Sequence, residues 1–214
     1  MSGEMLGWGP DAPAPVWSVP APGPAARATS VKVVIAGGFG VGKTTLVGAI
    51  SEIEPLTTEA VLTSAGTTVD DLSVVPGKTS TTVAMDFGRI TLEPTLVLYL
   101  FGTPGQDRFW FMWDELVHGA IGAVVLADTR RLSDSFAPID FFEHRGLPYA
   151  VVVNLFDGAP RHDLGEVRAA VAVPDETPVL ACDARERVQV RDILIALVDH
   201  ALRRRRSDAL TSRS

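Results

Sequence analysis

The chain has 214 residues, 46% hydrophobic and 21% charged, the balance of one globular α/β-sized domain with a sizeable core. A formal net charge of −7 argues against a broad nucleic-acid surface, the one cysteine, Cys182, cannot close an internal disulfide, and the scattered His118, His144, His162 and His200 lack metal-ligand spacing. No stretch reaches the ~18 apolar residues of a transmembrane helix and the N-terminus lacks signal-peptide character, so a cytoplasmic protein is expected.

Residues 1–29 are rich in Pro, Ala and Gly, with six prolines from Pro10 to Pro24, and are expected to form a disordered, partly extended arm. Trp8 and Trp17 within it are either tolerated exposure or a docking anchor. A single domain is expected over 30–206 and a flexible polar tail over 207–214. The apolar run Val31-Lys32-Val33-Val34-Ile35-Ala36, followed by glycines, predicts a buried strand, and a helix follows over 43–50. Residues 52–80 are polar and rich in Thr and Gly, with poor periodicity, and read as one long loop; such a loop in a compact domain is usually functional. Strands are then predicted over 82–90, 96–101, 120–127, 149–154 and 179–181, and helices over 106–118, 133–144, 164–171 and 190–204. The last helix carries Ile193, Leu194, Leu197, Val198 and Leu202 at helical spacing. Strands alternating with helices predict an α/β fold, a mostly parallel sheet with helices on both faces.

Gly37-Gly38-Phe39-Gly40-Val41-Gly42-Lys43-Thr44 fits G-x-x-x-x-G-K-[ST] between the first strand and the first helix. Glycines let successive backbone N–H groups curl around phosphates, and the helix N-terminus faces the same anion. The cradle is expected to comprise Gly37, Phe39, Gly40, Val41, Gly42, Lys43, Thr44 and Thr45, with Lys43 neutralising the outer phosphates and the Thr44 hydroxyl on Mg²⁺. The third predicted strand ends in Gly102-Thr103-Pro104-Gly105-Gln106, where Gly105 offers an N–H to a terminal phosphate and Gln106 orients an attacking water. The strand ending at Asn154 runs into Leu155-Phe156-Asp157. Alone this is an Asx-turn; beside a phosphate cradle, the Asp157 carboxylate can accept both donors of guanine's edge, which adenine lacks, with Asn154 bracing base and cradle. Asp183 and Ala184, after the next strand, would supply a second base contact.

The set Gly37–Thr44, Thr82, Thr103-Pro104-Gly105-Gln106, Asn154…Asp157 and Cys182-Asp183-Ala184 resembles the Ras-like small GTPases over about residues 31–203. The T-P-G-Q segment and the strand Val83-Ala84-Met85-Asp86-Phe87-Gly88 look like the bacterial MglA-like branch, most like the actinobacterial conservon GTPases. The resemblance implies a GDP/GTP cycle with Mg²⁺, slow hydrolysis, and partners of roadblock type and of sensor histidine kinase-like type. It also implies a switch-loop threonine on the metal; within Thr79-Ser80-Thr81-Thr82, Thr82 is the choice because it opens the strand.

Three positions depart from the Ras-like pattern. Gly102 stands where an aspartate usually holds a Mg²⁺-bound water, which implies a less firmly held metal; Leu155 replaces a lysine that packs over cradle and base; Thr81 replaces the arginine that MglA carries before its switch threonine. A transition-state arginine must then come from Arg108, from elsewhere, or from a partner. These departures keep open a nucleotide-binding scaffold with little hydrolysis; a P-loop ATPase or kinase is the third reading, of which a small kinase would want an arginine-rich lid and a second substrate pocket that the sequence does not show. Arg203-Arg204-Arg205-Arg206 closes the last predicted helix, either complementing its dipole or contacting anionic lipid or an acidic partner, with membrane recruitment then depending on partners.

Overall fold

A computed structural model of the chain describes residues 29–54, 56–62, 81–105 and 112–211, with backbone alone for 56–62, 81–84 and 211. Of the arm expected over 1–29, residues 1–28, with Trp8 and Trp17, lie outside the described residues, as do 212–214, while Thr29 opens the first strand.

Seven strands form one sheet: β1 (Thr29–Gly37), β2 (Leu56–Leu62), β3 (Thr81–Glu93), β4 (Leu96–Gly102), β5 (Ala120–Ala127), β6 (Tyr149–Asn154) and β7 (Val179–Cys182). Their spatial order is β2-β3-β4-β1-β5-β6-β7. The β2–β3 and β3–β4 pairs are antiparallel; β4–β1, β1–β5, β5–β6 and β6–β7 are parallel. The helices are α1 (Lys43–Ile50), α2 (Trp113–Val117), α3 (Phe136–His144), α4 (Leu164–Val171) and α5 (Arg187–Thr211).

The unbroken apolar runs of β1, β5 and β6 follow from burial on both faces. Because side chains alternate along a strand, Val33, Ile35, Val124, Leu126 and Val152 point to one layer, where they meet Leu46 and Val47 of α1 and Ile193, Leu194 and Leu197 of α5. Val34, Ala36, Ala123, Val125, Val151 and Val153 point to the other, against Trp113, Ile139, Phe142, Val167 and Val171 of α2, α3 and α4. Cys182 is fully buried in the α1/α5 layer, and burial pushes its thiol up to about 12, so it is a core residue rather than a nucleophile.

Four expectations need correction. Residues 52–80 are not one loop, since β2 pairs antiparallel with β3 from Leu56 opposite Phe87 to Leu62 opposite Thr81. Its Thr57, Thr58 and Val61 suit a strand, but a strand paired on one side needs no strong apolar alternation, so the period was faint. Of the helix predicted over 106–118, only Trp113–Val117 is α-helical among the described residues, and 106–111 lie outside them. The helix predicted from Ser133 begins instead at Phe136, after a 3-10 segment, Thr129–Ser135, whose start is held by Arg130 N–H donating to the Asp128 carboxylate. Finally, α5 continues to Thr211, so Ser207–Thr211 is helical and Arg203–Arg206 lie inside the helix rather than at its end. The dipole-capping account of these arginines therefore loses its basis.

The C-terminal ends of β1, β4, β5, β6 and β7 lie along one edge of the sheet. The chain builds out from β1 first towards β4 and then towards β5, and the crevice at such a reversal is where α/β sheets bind ligands.

Candidate functional site

The turn from β1 into α1 is made by glycines because other residues cannot adopt its backbone: φ is +136° at Gly37, +72° at Gly40 and +104° at Gly42. Gly42 is also hemmed in, since a Cβ there would come 2.5 Å from Asn154 Nδ2. Lys43 is 8% exposed, and its Nζ donates to the carbonyls of Gly37 (2.9 Å) and Gly38 (2.8 Å). Burial pushes the Lys43 ammonium down to about 8, with the Asp86 carboxylate pulling the other way. A buried ammonium whose hydrogen bonds among the described residues go to the Gly37 and Gly38 carbonyls is a strong attractor for an anion. Gly105 closes over it, for a Cβ at this position would lie 2.8 Å from Lys43 Nζ and 3.0 Å from Phe39 Cα. The structure thus brings the T-P-G turn onto the phosphate cradle, and Phe39, 67% exposed, stands at its mouth.

Thr44 Oγ1 donates to Asp86 Oδ2 at 2.7 Å. Asp86 lies on β3, one step beyond the rung that pairs Phe87 with Phe101 on β4. A Cβ on Gly102 would meet Asp86 Cβ and Oδ2 at 3.0 Å. The carboxylate missing from position 102 is therefore present in the same space, supplied by the neighbouring strand. Sequence reasoning passed over Asp86; the available signal was a lone carboxylate in the apolar run Val83-Ala84-Met85-Asp86-Phe87 opposite the strand that ends in Gly102. Thr82 is in β3, where its backbone pairs with Val61, but its side chain lies outside the described residues, as do Gln106 and Arg108.

Asn154, 7% exposed at the end of β6, ties two loops together. Its Nδ2 donates to Val41 O at 2.9 Å, and its Oδ1 accepts from Ala184 N–H at 3.1 Å. The cradle and the loop after β7 are thus braced by one amide. Asp157 sits at the rim, where Arg185 Nη1 donates to Oδ2 (2.9 Å) and Nη2 to Oδ1 (3.1 Å). Arg185 also grips Asp183, with Nη2 at 2.6 Å from Oδ2. The Arg185 guanidinium holds the Asp157 carboxyl below the usual range and that of Asp183 down to about 2. Leu155, in the position expected for a lysine, is half-buried and packs with the α2–α4 layer.

A second arginine that the sequence did not flag reaches the cradle. Arg131, from the 3-10 segment after β5, donates through Nη2 to Phe39 O at 3.0 Å and lies within ion-pair distance of Asp128 (3.8 Å) and Asp134 (3.7 Å). Its reach depends on the kink at Arg131 itself (φ −146°, ψ 52°), which no local motif announces. A cavity of about 770 Å³ lies at the other end of the sheet against Tyr149, Pro178 and His200 and touches none of these groups.

Residues 35–204 match the family described as conserved hypothetical ATP binding protein. Over 129 residues the chain is 33% identical to "Uncharacterized protein MJ1339" of Methanocaldococcus jannaschii, covering 59% of this chain and 71% of that one. Among solved structures, the G domain of the T. maritima FeoB iron transporter is similar with a TM-score of 0.56 and 20% identity, covering 81% of this chain and 99% of that domain. The cytosolic domain of the same transporter, in a GDP form, gives a TM-score of 0.57 and 19% identity over 81% of this chain, which spans only 64% of that domain's length. At such identities the likeness is one of fold: this is a P-loop nucleotide-binding fold of the G-domain type. No helix among the described residues is long and apolar enough to cross a membrane.

Proposed function

This chain belongs to the family described as conserved hypothetical ATP binding protein, and from that premise we propose that it is a guanine-nucleotide switch that binds GDP and GTP with Mg²⁺ and hydrolyses GTP slowly. The observation that carries the choice of base is the pairing of Asn154 and Asp157 at the end of β6. Asn154 braces the cradle against the Ala184 loop, which aims the segment through Asp157 at whatever base the cradle's phosphates carry. A carboxylate accepts two hydrogen bonds side by side, and guanine's ring N–H and amine donate such a pair. Adenine offers one donor beside an acceptor, which a carboxylate repels. The family's description names ATP, and the chemistry of Asp157 favours GTP. The GDP form of the T. maritima domain, which shares the fold, is in keeping with this.

The donor set at the cradle fits Mg²⁺: a hydroxyl, Thr44, and a carboxylate, Asp86, meet at 2.7 Å beside the buried Lys43. Thr44 would hold the ion directly, Asp86 directly or through water, and Thr82 from β3. Once bound, Mg²⁺ would neutralise charge on the outer phosphates. Lys43 supplies the cation of the cradle, Gly105 its close N–H, and Gln106 would order the attacking water. With Asp86 in place of the usual carboxylate, the metal need not be held weakly. Without an arginine aimed into the site from the switch strand, intrinsic hydrolysis is expected near ~10⁻⁴ to 10⁻³ per second. The resemblance to the MglA-like and conservon GTPases supports a signalling role with roadblock-type and sensor-kinase-like partners, and recruitment to a membrane through them.

Calorimetric titration with GDP, GTP and ATP, with and without Mg²⁺, tests the proposal. Guanine nucleotides are expected to bind at least ~10-fold more tightly than ATP, and Asp157→Asn is expected to shift preference towards xanthine nucleotides, whose carbonyl suits an amide donor. Equal or tighter binding of ATP would return the chain to the ATPase class.

A further inference from the structure

The two donors on Asp157 belong to the chain itself. One flat guanidinium, that of Arg185, engages both carboxylate oxygens, Nη1 to Oδ2 at 2.9 Å and Nη2 to Oδ1 at 3.1 Å. An arginine fork matches a carboxylate with two parallel N–H groups. Guanine's pairing edge presents the same thing: two N–H groups, side by side, in one plane. Base and side chain thus address the same two oxygens and cannot hold them together.

We infer that Arg185 is a built-in competitor for the base-reading carboxylate, so that guanine engages Asp157 only as the Arg185 fork withdraws onto Asp183. The inference rests on the guanine reading proposed above. Withdrawal leaves no cation stranded, because Arg185 already donates from Nε to both Asp183 oxygens (2.8 and 3.1 Å) and from Nη2 to Oδ2 (2.6 Å). The pivot is fixed while the fork moves. Asp183 N–H donates to Gln189 Oε1 (2.9 Å), Ala184 N–H to Asn154 Oδ1 (3.1 Å) and Arg185 N–H to Asp183 Oδ1 (2.9 Å). Two carboxylates sharing one arginine thus make a two-position rest for the guanidinium, and only one position blocks the base.

The size of the effect follows from exposure. The Arg185 and Asp157 side chains are 55% and 83% exposed, and exposed ion pairs are weak and screened by salt. Apparent affinity falls by the fraction of molecules in which the site is free, so Arg185 is expected to loosen guanine binding roughly two- to fivefold. A competitor of that strength tunes exchange without preventing binding.

The experiment is a four-protein cycle on the full chain: wild type, Arg185→Met, Asp157→Ala and the double variant, each titrated with GDP and ADP. Methionine keeps an apolar stem and removes every donor. Arg185→Met is expected to bind GDP about two- to fivefold more tightly than wild type and ADP unchanged. The GDP gain should shrink towards one in 1 M KCl and vanish in the Asp157→Ala background. Arg185→Gln, which lacks the charged fork, is expected to move in the same direction. Arg185→Met binding GDP no better than wild type, or gaining equally when Asp157 is absent, overturns the competitor. Asp157→Ala keeping the wild-type preference for GDP over ADP overturns the base reading itself, a different result from the first.

Discussion

Moving the Asp86 carboxylate to the neighbouring strand is a direct test of the cation site proposed for Thr44 and Asp86. Asp86 Oδ2 accepts from Thr44 Oγ1 at 2.7 Å, and a Cβ on Gly102 would sit 3.0 Å from Asp86 Cβ and Oδ2. The two positions therefore share one space that admits one carboxylate. Gly102→Asp alone forces two together; at an effective dielectric of about 20, like charges roughly 4 Å apart repel by about 4 kcal/mol. At ~2–4 °C of melting temperature per kcal/mol for a domain of this size, the midpoint should fall by roughly 8–16 °C. Asp86→Ala alone should leave the fold near wild type and weaken the Mg²⁺ dependence of nucleotide retention ~10–100-fold, the usual effect of losing a group that supports a metal ligand. The double variant, Asp86→Ala with Gly102→Asp, carries its carboxylate on β4 again. It should recover the melting temperature lost by Gly102→Asp and bring the Mg²⁺ midpoint to within about tenfold of wild type. Release of a fluorescent GDP analogue, followed against Mg²⁺ concentration, reads the metal; thermal unfolding in EDTA reads the clash. A wild-type Mg²⁺ midpoint in Asp86→Ala, or a double variant no better than Asp86→Ala, refutes the shared-space account.

Asn154→Ala strips two buried backbone groups, Val41 O and Ala184 N–H, of their partner; at ~1–3 kcal/mol each the loss should be roughly 2–6 kcal/mol, and a midpoint unchanged in urea unfolding would refute it. Lys43 lies at about 8 against an ordinary 10.5, so between these values the unfolded chain binds more protons than the folded one, and stability should rise with pH from about 8 to 10.5. Lys43→Met is expected to abolish that rise and to increase stability at pH 7 by up to about 3 kcal/mol, less what is lost with the Gly37 and Gly38 contacts, while nucleotide binding is lost; a flat wild-type profile over that window would contradict the burial penalty. Arg203, Arg204, Arg205 and Arg206 follow one another on a continuous helix, so successive 100° steps spread them round it and at most three, Arg206, Arg203 and Arg204 within an arc of about 160°, face a flat bilayer. At ~1 kcal/mol each, changing all four to alanine should weaken binding to anionic vesicles by less than ~200-fold at low salt, whereas a ~10³-fold loss would mean that all four act together.

The sheet and its site were legible to different depths. Apolar runs in β1, β5 and β6 announce themselves because both faces are buried, and the phosphate cradle because backbone conformations such as that of Gly42, at φ +104°, restrict the residue choice. Asn154 and Asp157 stand out as candidates from their position at the end of a strand. Contacts made across strands and loops were not legible. Asp86 matters only because the β3–β4 register sets it against Gly102, and Arg131 and Arg185 matter only because their side chains reach Phe39 and Asp157. Periodicity carries none of that. The full length of α5 was hidden for another reason: beyond Ala201 the helix has no core to face, so its residues lose the apolar period that betrays a helix.

That last stretch of α5 has a mechanical consequence. Ala201 is 2% exposed, and every residue from Leu202 to Leu210 is exposed while the helix continues to Thr211. At ~1.5 Å per residue, these ten residues run about 15 Å, with Arg203, Arg204, Ser207 and Asp208 lining one side of the cavity that Glu143 and Tyr149 face, and are seeded and kept in register by the packed turns before them. A label joined near Leu210 would turn with the sheet as a lever, magnifying small rotations of the body into displacements large enough for distance measurements. The same stiffness would hold a fused domain at arm's length from the crevice at the opposite end of the strands.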